Sequence, residues 1–158
     1  VRGTSYSVIP ATIEHIIAIG PYIREADRCE VYAGRLATVD DALIDGLIVS
    51  SECWVGLIDD EPACVFGVSP ISIIGGIGSP WLLGTDTLAL HALPFLRRNK
   101  RYLHRMLKIY PTLVNYVDAR NTVAIAWLEW LGFTLGEAEP WGALQMPFKK
   151  LEMKAKDV

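Results

Sequence analysis

The run NTVAIAWLEWLGF, from Asn121 to Phe133, limits what this chain can fold into more than any other stretch. Asn121 can cap a helix, because its side-chain oxygen accepts an orphan N–H of the first turn. The residues that follow, Thr122 to Leu131, are almost all apolar. Gly132 fits the left-handed position that ends a helix, and Phe133 can pack back over the last turn. Just upstream, LVNYV (Leu113 to Val117) reads as a buried strand. The unit is therefore strand, Asn cap, short apolar helix, glycine stop and a returning strand.

A chain of 158 residues, 51% hydrophobic and 21% charged, suits one domain spanning 1–158 with a sizeable core and argues against disorder. No apolar run reaches the roughly 18 residues that a membrane span needs. Residues 71–84 are apolar but interrupted by glycines and Pro80, which suits a hairpin. The opening Val1-Arg2-Gly3 lacks a signal pattern, and the missing initiator Met suggests a trimmed chain. Cys29, Cys53 and Cys64 have no ligand spacing and read as reduced, packed thiols of a cytosolic protein. His15, His91 and His104 show no metal-site spacing either, so no metal is expected. The net charge of −3 hides an asymmetry: no acidic residue lies between Asp86 and Asp118, while Arg97, Arg98, Lys100, Arg101, Arg105 and Lys108 do.

Tyr6 to Pro10 reads as a first strand. Thr12 can cap a helix with Ile13, Ile16 and Ile17 on one face. Gly20-Pro21 breaks it, and Pro21 can start a turn running to about Arg28. Asp40 and Asp41 mark the start of a helix striped by Leu43, Ile44, Leu47 and Ile48. Cys53–Asp59 and Ala63–Ser69 read as antiparallel strands about an Asp60-Glu61-Pro62 turn, and Pro80–Gly84 as a fourth strand. Leu96 to Tyr110 carries a helical period, apolar on one side and basic on the other. Phe133–Leu135 and Met146–Met153 close the pattern as strands, with Pro140-Trp141-Gly142 in a turn between them. The order β-α-α-β-β-β-α-β-α-β-β predicts an α/β (α+β) fold, a mixed, mostly antiparallel sheet with helices on both faces. Strands 80–84 and 113–117, joined by a helix, should be adjacent and parallel.

This order, with the Asn121-to-Phe133 signature, resembles the GNAT N-acetyltransferase fold. The resemblance implies acetyl-CoA as cofactor if the protein is an enzyme. It places a phosphate-cradling glycine loop near Pro94–Arg101, which contains no glycine, and a proton-donating tyrosine at Leu128. Arg97, Arg98 and Lys100 could attract phosphate by charge or simply form a solvated helix face. Asn121 would cap its helix and lie near the cofactor. Asp27, Arg28 and Glu30, placed in the connection after the first helix, would border the acceptor groove, where a carboxylate can deprotonate an amine. Asp86 and Asp118 follow the two strands that splay apart in this fold. Asp27, Glu30, Asp86 and Asp118 are thus the catalytic candidates. Trp127 and Trp130 read as core or groove lining.

WLLGTDTL (Trp81 to Leu88), FLRRNK (Phe95 to Lys100), YPTLVNYVDARN (Tyr110 to Asn121), WLEWLGF (Trp127 to Phe133), the closing Pro147, Phe148 and Met153, and READRCEVYA (Arg24 to Ala33) resemble the GNAT-like internal virion protein A family of podovirus-type phages. That resemblance implies a phage protein-binding module in virion assembly or DNA ejection, without efficient acetyl transfer. Its partners would be virion or assembly proteins, or a second copy of itself, in the cytoplasm of an infected or lysogenic bacterial host or on the particle. Acyl-CoA-dependent transfer to an amine is the alternative. Nucleic-acid contact through the 97–108 helix face is a third reading, disfavoured by the acidic net charge.

Overall fold

The computed structural model describes residues 3–158. Strands β1 (Tyr6–Pro10), β2 (Glu52–Ile58), β3 (Glu61–Ser72), β4 (Ile77–Gly84), β5 (Thr112–Asp118), β6 (Thr134–Leu135), β7 (Glu139–Trp141) and β8 (Met146–Lys154) form one 8-stranded sheet. The order is β1-β2-β3-β4-β5-β8-β6, with β7 also paired to β8. All pairings are antiparallel except that of β4 with β5. The hairpin between β2 and β3 turns on Asp59 and Asp60, both at positive φ, the geometry that matches the twist of two-residue hairpins.

Helices α1 (Ile13–Ile19), α2 (Glu25–Arg35) and α3 (Val39–Val49) cover one face. After the short α4 (Asp86–Leu90), α5 (Ala92–Ile109) and α6 (Thr122–Leu131) cover the other. Strand alternation sorts the two cores. Val55, Val65 and Leu83 are in register and meet Ile16, Ile19 and Leu43, whereas Trp54, Phe66 and Leu82 are in register on the opposite side with Phe95 and Leu103. Leu43, Val55 and Val65 are fully buried, each side chain contributing about 1.5–3 kcal/mol. Among the described residues no helix is long and apolar enough to cross a membrane.

Several boundaries differ from the sequence reading. Pro21 lies in a single 3-10 turn, Gly20–Tyr22, and α2 begins only at Glu25, after Ile23 has bridged to Thr85. Asp27, Arg28 and Glu30 therefore sit on a helix rather than in a connection. With α2 and α3 both formed, three α-helices separate β1 from β2 where two were expected. Glu139–Trp141 is a strand instead of a turn. Pro140 is tolerated because β7 pairs on one side only, and the turn moves to Gly142–Gln145. Helix α5 starts at Ala92, not Leu96, since Pro94 fits a first helical turn where no N–H is needed.

Candidate functional site

Strands β4 and β5 are parallel neighbours, but their ladder holds only Ile77 opposite Thr112 and Gly78 opposite Leu113. Beyond it they part. Asn115 reaches across the gap, its Nδ2 donating to the Pro80 carbonyl at 2.6 Å. By strand alternation the N–H and C=O of Leu82 share the edge of the Pro80 carbonyl, so they face the gap without a strand partner.

Two cavities meet there from opposite faces of the sheet. The first, about 160 Å³, lies between the sheet, α5 and α6, and is walled by apolar side chains including Leu96, Trp127 and Leu128. The second, about 560 Å³, lies under α2 and α3, with Trp81, Tyr116, Trp141 and Phe148 on its walls. Both are lined by Glu30, Trp81, Leu82, Asn115 and Tyr116. Trp81, Phe95 and Trp127 thus line the gap without closing it.

The open end of the gap is tied to α2 by a buried polar network. Asp27 Oδ2 accepts the Gly84 N–H at the end of β4 (3.0 Å). One turn along α2, Glu30 Oε1 accepts the Asp118 N–H at the end of β5 (2.9 Å). Each parted strand end is thus held by a carboxylate of one helix. Asn121 joins the two: its Nδ2 donates to Asp27 (3.0 Å) and Glu30 (3.3 Å), and its Oδ1 accepts from Arg24 (3.1 Å) and the Ala124 N–H (3.4 Å). Arg24 is 7% exposed, its guanidinium lying over Trp127 at 5.1 Å and its Nη1 standing 3.6 Å from Asp27 without a hydrogen bond.

Burial dominates the titration of these acids. It pushes Glu30 up to about 7, helped by the nearby Asp27 charge and opposed by the Asp118 N–H bond. Burial also raises Asp27, against the Gly84 N–H and the Arg24 charge. For Asp118 burial acts upward too, but the bonds from Arg120 outweigh it and hold the carboxyl low. Glu30 Oε2 accepts no hydrogen bond from the described residues.

Of the catalytic candidates, Asp27 and Glu30 come together at the gap. The side chain of Asp118 turns away to Arg120 at 2.7 Å, and Asp86 is exposed in the first turn of α4. The expected phosphate loop is displaced: Pro94–Arg101 lies inside α5, and the connection from β4 is Thr85–His91, which holds α4 and also lacks glycine. Arg97 and Arg98 are exposed on α5 away from the cavity, Arg98 covering Tyr6 at 5.2 Å. Lys100 lines the cavity beside Trp130. Arg105 is held by Glu52 at 2.6 Å, which neutralises part of the basic face. Leu128 does line the first cavity. Arg24, Asn115, Tyr116 and Trp141 were not singled out in the sequence. The available signal was Arg24 three residues before Asp27, one helical turn on the same face. The cysteines are all free; burial pushes Cys53 up to about 11 and Cys64 up to about 12, so neither is a reactive thiol.

No family model matches the chain, and no curated protein does. Solved structures do. An N-acetyltransferase from Staphylococcus aureus superposes with a TM-score of 0.70 at 15% identity, covering 96% of this chain and 99% of its own. A ribosomal-protein-S5-alanine acetyltransferase from Vibrio fischeri gives 0.67 at 16%, covering 96% and 94%. An acetyltransferase from Salmonella typhimurium, with its cofactor acetyl-CoA, gives 0.62 at 12%, covering 95% and 94%. What this chain shares with them is the fold: a mixed, mostly antiparallel sheet with helices on both faces, that of the GNAT N-acetyltransferases.

Proposed function

We propose that the protein transfers an acyl group from a coenzyme A thioester to an amine. The observation that carries this reading is the meeting of two cavities at the β4–β5 gap, with Glu30 at the junction. The Salmonella structure that shares the fold carries acetyl-CoA. The first cavity suits the slender arm of such a thioester: it is narrow and apolar, and the free backbone edge at Leu82 can pair with an amide. The phosphate end is less well provided for. Neither Thr85–His91 nor α5 holds a glycine, and Lys100 and Asn99 are the polar side chains of α5 on the cavity wall. Asn121, whose capacity is spent within the network, serves to hold Glu30 and Asp27.

Acetyl-CoA would supply an activated acyl carbonyl. The Asp118 N–H and Asn121 fix Oε1 of Glu30 and leave Oε2 free for an incoming ammonium. With its carboxyl poised near 7, Glu30 can take the amine proton at neutral pH. Amide C–N formation would be coupled to loss of the thioester C–S bond, and Leu128 on the cavity wall cannot donate a proton to the leaving sulfur, so water would have to supply it.

The test is thiol release with millimolar acetyl-CoA and an alkyl amine. Turnover is expected to rise with pH through an apparent pKa near 7. Glu30→Gln is expected to lose on the order of 10²-fold or more. Absence of release at millimolar donor overturns the reading.

A second reading is favoured by a different observation. Asp27 and Glu30 saturate the strand-end N–H groups, so α2 seals the wide end of the gap. A protein-binding role in phage particles, implied by the motif resemblance, would use the same scaffold without chemistry. A silent thiol assay together with recovery of the protein from purified particles would support it, and robust turnover would remove its premise.

A further inference from the structure

From Pro62 to Thr85 the chain carries no charged residue, and this stretch makes nearly the whole β3–β4 hairpin. Burial in the sheet accounts for its middle but not for its tip. Past Val68, β3 has no partner on the β2 side, and the hairpin runs on to a turn over residues 73–76. There Ile71, Ile73 and Ile74 are 56%, 79% and 102% exposed, so the Ile74 side chain stands clear of the rest of the fold. Two helix ends extend the same surface. Ile48 and Val49, exposed at the end of α3, are brought alongside by the Ser50–Ser69 hydroxyl bond at 3.1 Å, and Ile109, also exposed, ends α5 two residues before Pro111. A turn in water is ordinarily polar, and a run of exposed aliphatic side chains at one end of a molecule marks an interaction site.

Two observations select what covers it. The first is that the turn already satisfies its backbone. Gly75 N–H donates to Ser72 Oγ (2.9 Å), Gly76 N–H donates to the Ile73 carbonyl (3.3 Å), and the Gly76 carbonyl accepts the Thr112 N–H (3.1 Å). Such a turn can leave water without stranding these groups. It is also convex. A protein partner would need a pocket matched to the tip, whereas hydrocarbon closes around it. The second observation is charge. Lys108 lies in the last turn of α5, and Lys156 in the final 3-10 turn, which is tied to this end by Ala155 N–H to the Pro111 carbonyl (2.8 Å). Both lysines are exposed, and neither has a carboxylate partner among the described residues. The acids nearby are mostly engaged: Glu52 is held by Arg105 at 2.6 Å, and Glu152 lies 3.8 Å from both Lys150 and Lys154, which leaves Asp157. The side chains around the tip are thus positive on balance in a chain of net charge −3.

We infer that this end of the molecule docks on an anionic lipid surface. The Ile73–Ile74 tip enters the interface, and Lys108 and Lys156 meet the headgroup phosphates. The inference is independent of acyl transfer and concerns the far end of the sheet. Because β4 runs from Ile77 at the tip to Gly84 at the gap, a docked chain holds the wide end of the gap away from the bilayer.

The experiment is co-sedimentation of the full chain with vesicles of equimolar phosphatidylcholine and phosphatidylglycerol, and with vesicles of phosphatidylcholine alone. Partitioning about tenfold or more stronger onto the anionic vesicles is expected, falling at high salt without vanishing. Ile74→Asp should weaken it by about tenfold or more and Ile73→Ser by several-fold. Both side chains are exposed, so the urea unfolding midpoint of each variant should match wild type. Lys108→Glu should weaken binding to the anionic vesicles alone. Absence of sedimentation, equal sedimentation with neutral vesicles, or sedimentation unchanged by both isoleucine substitutions overturns the inference. Light scattering without lipid tests the other occupant: a dimer that Ile74→Asp dissolves would give this end to a second copy and overturn the inference as well.

Discussion

Glu30 shows at the scale of one residue how a fold sets chemistry. A carboxyl in water ionises near 4.5, and in its place under α2 Glu30 ionises near 7. The folded chain therefore binds this proton more tightly than the unfolded chain. The sign follows from linkage: the stabilisation is present below about 4.5 and is lost as pH rises through about 7, on the order of 3 kcal/mol. Asp27, also raised by burial, acts in the same direction. Glu30→Gln removes the ionisation while its amide oxygen can still accept the Asp118 N–H. The variant should gain on wild type by about 2 kcal/mol between pH 5 and pH 8 in urea unfolding. A stability gap that stays flat across that range would show that Glu30 does not titrate in the folded protein. Asp27, Glu30 and Asn121 were legible in the sequence because acids near a helix and an Asn before an apolar run are recognisable types. Arg24 was not. Arginine is almost never fully buried unless paired, and its partners Asn121 and Asp27 become neighbours only through the tertiary fold.

Among the elements, α6 was the most readable. Asn121 caps it through the Ala124 N–H, and Gly132 ends it at φ 102° with the Phe133 N–H bonded to the Leu128 carbonyl, closing the last turn as a Schellman motif. A Cβ at Gly132 would meet only Met153 at 3.6 Å, an ordinary contact. Gly132→Val therefore isolates the backbone cost of a β-branched residue at positive φ, and should lower stability by about 1 kcal/mol or more in a denaturant melt. An unchanged midpoint would contradict the cap. The surroundings of α6 were not readable. Apolar almost throughout, it still has no buried residue, because it roofs a cavity instead of sealing a core. The start of α5 was also missed. A proline usually warns of a break, yet at Pro94 it falls in a first turn, and that shift carried the expected phosphate loop into a helix.

For the whole molecule, the mixed sheet and its parallel β4–β5 neighbours followed from the element order and the crossover helix, whereas the place of β8 between β5 and β6 was not read. The two-sided opening was not read either, because it depends on where the ladder stops. That opening sets the expected hold on acetyl-CoA. With no glycine between β4 and α5, binding relies on an apolar slot plus exposed charges that contribute about 0–1 kcal/mol each. A dissociation constant of roughly millimolar, about 4 kcal/mol, is expected, weakening as salt shortens the Debye length. Calorimetry at low and high ionic strength measures both. A low-micromolar constant insensitive to salt would mean that backbone donors of Thr85–His91 form a true phosphate cradle. The short ladder has another consequence. Residues 3–110 carry β1–β4 with α1–α5, and residues 112–158 carry β5–β8 with α6, so a break at Pro111 would leave each piece with its own antiparallel strands. Only two residue pairs of backbone ladder would be severed. Expressed apart, the pieces should behave as a complementation pair, mute alone and reassembling when two fused proteins bring them together.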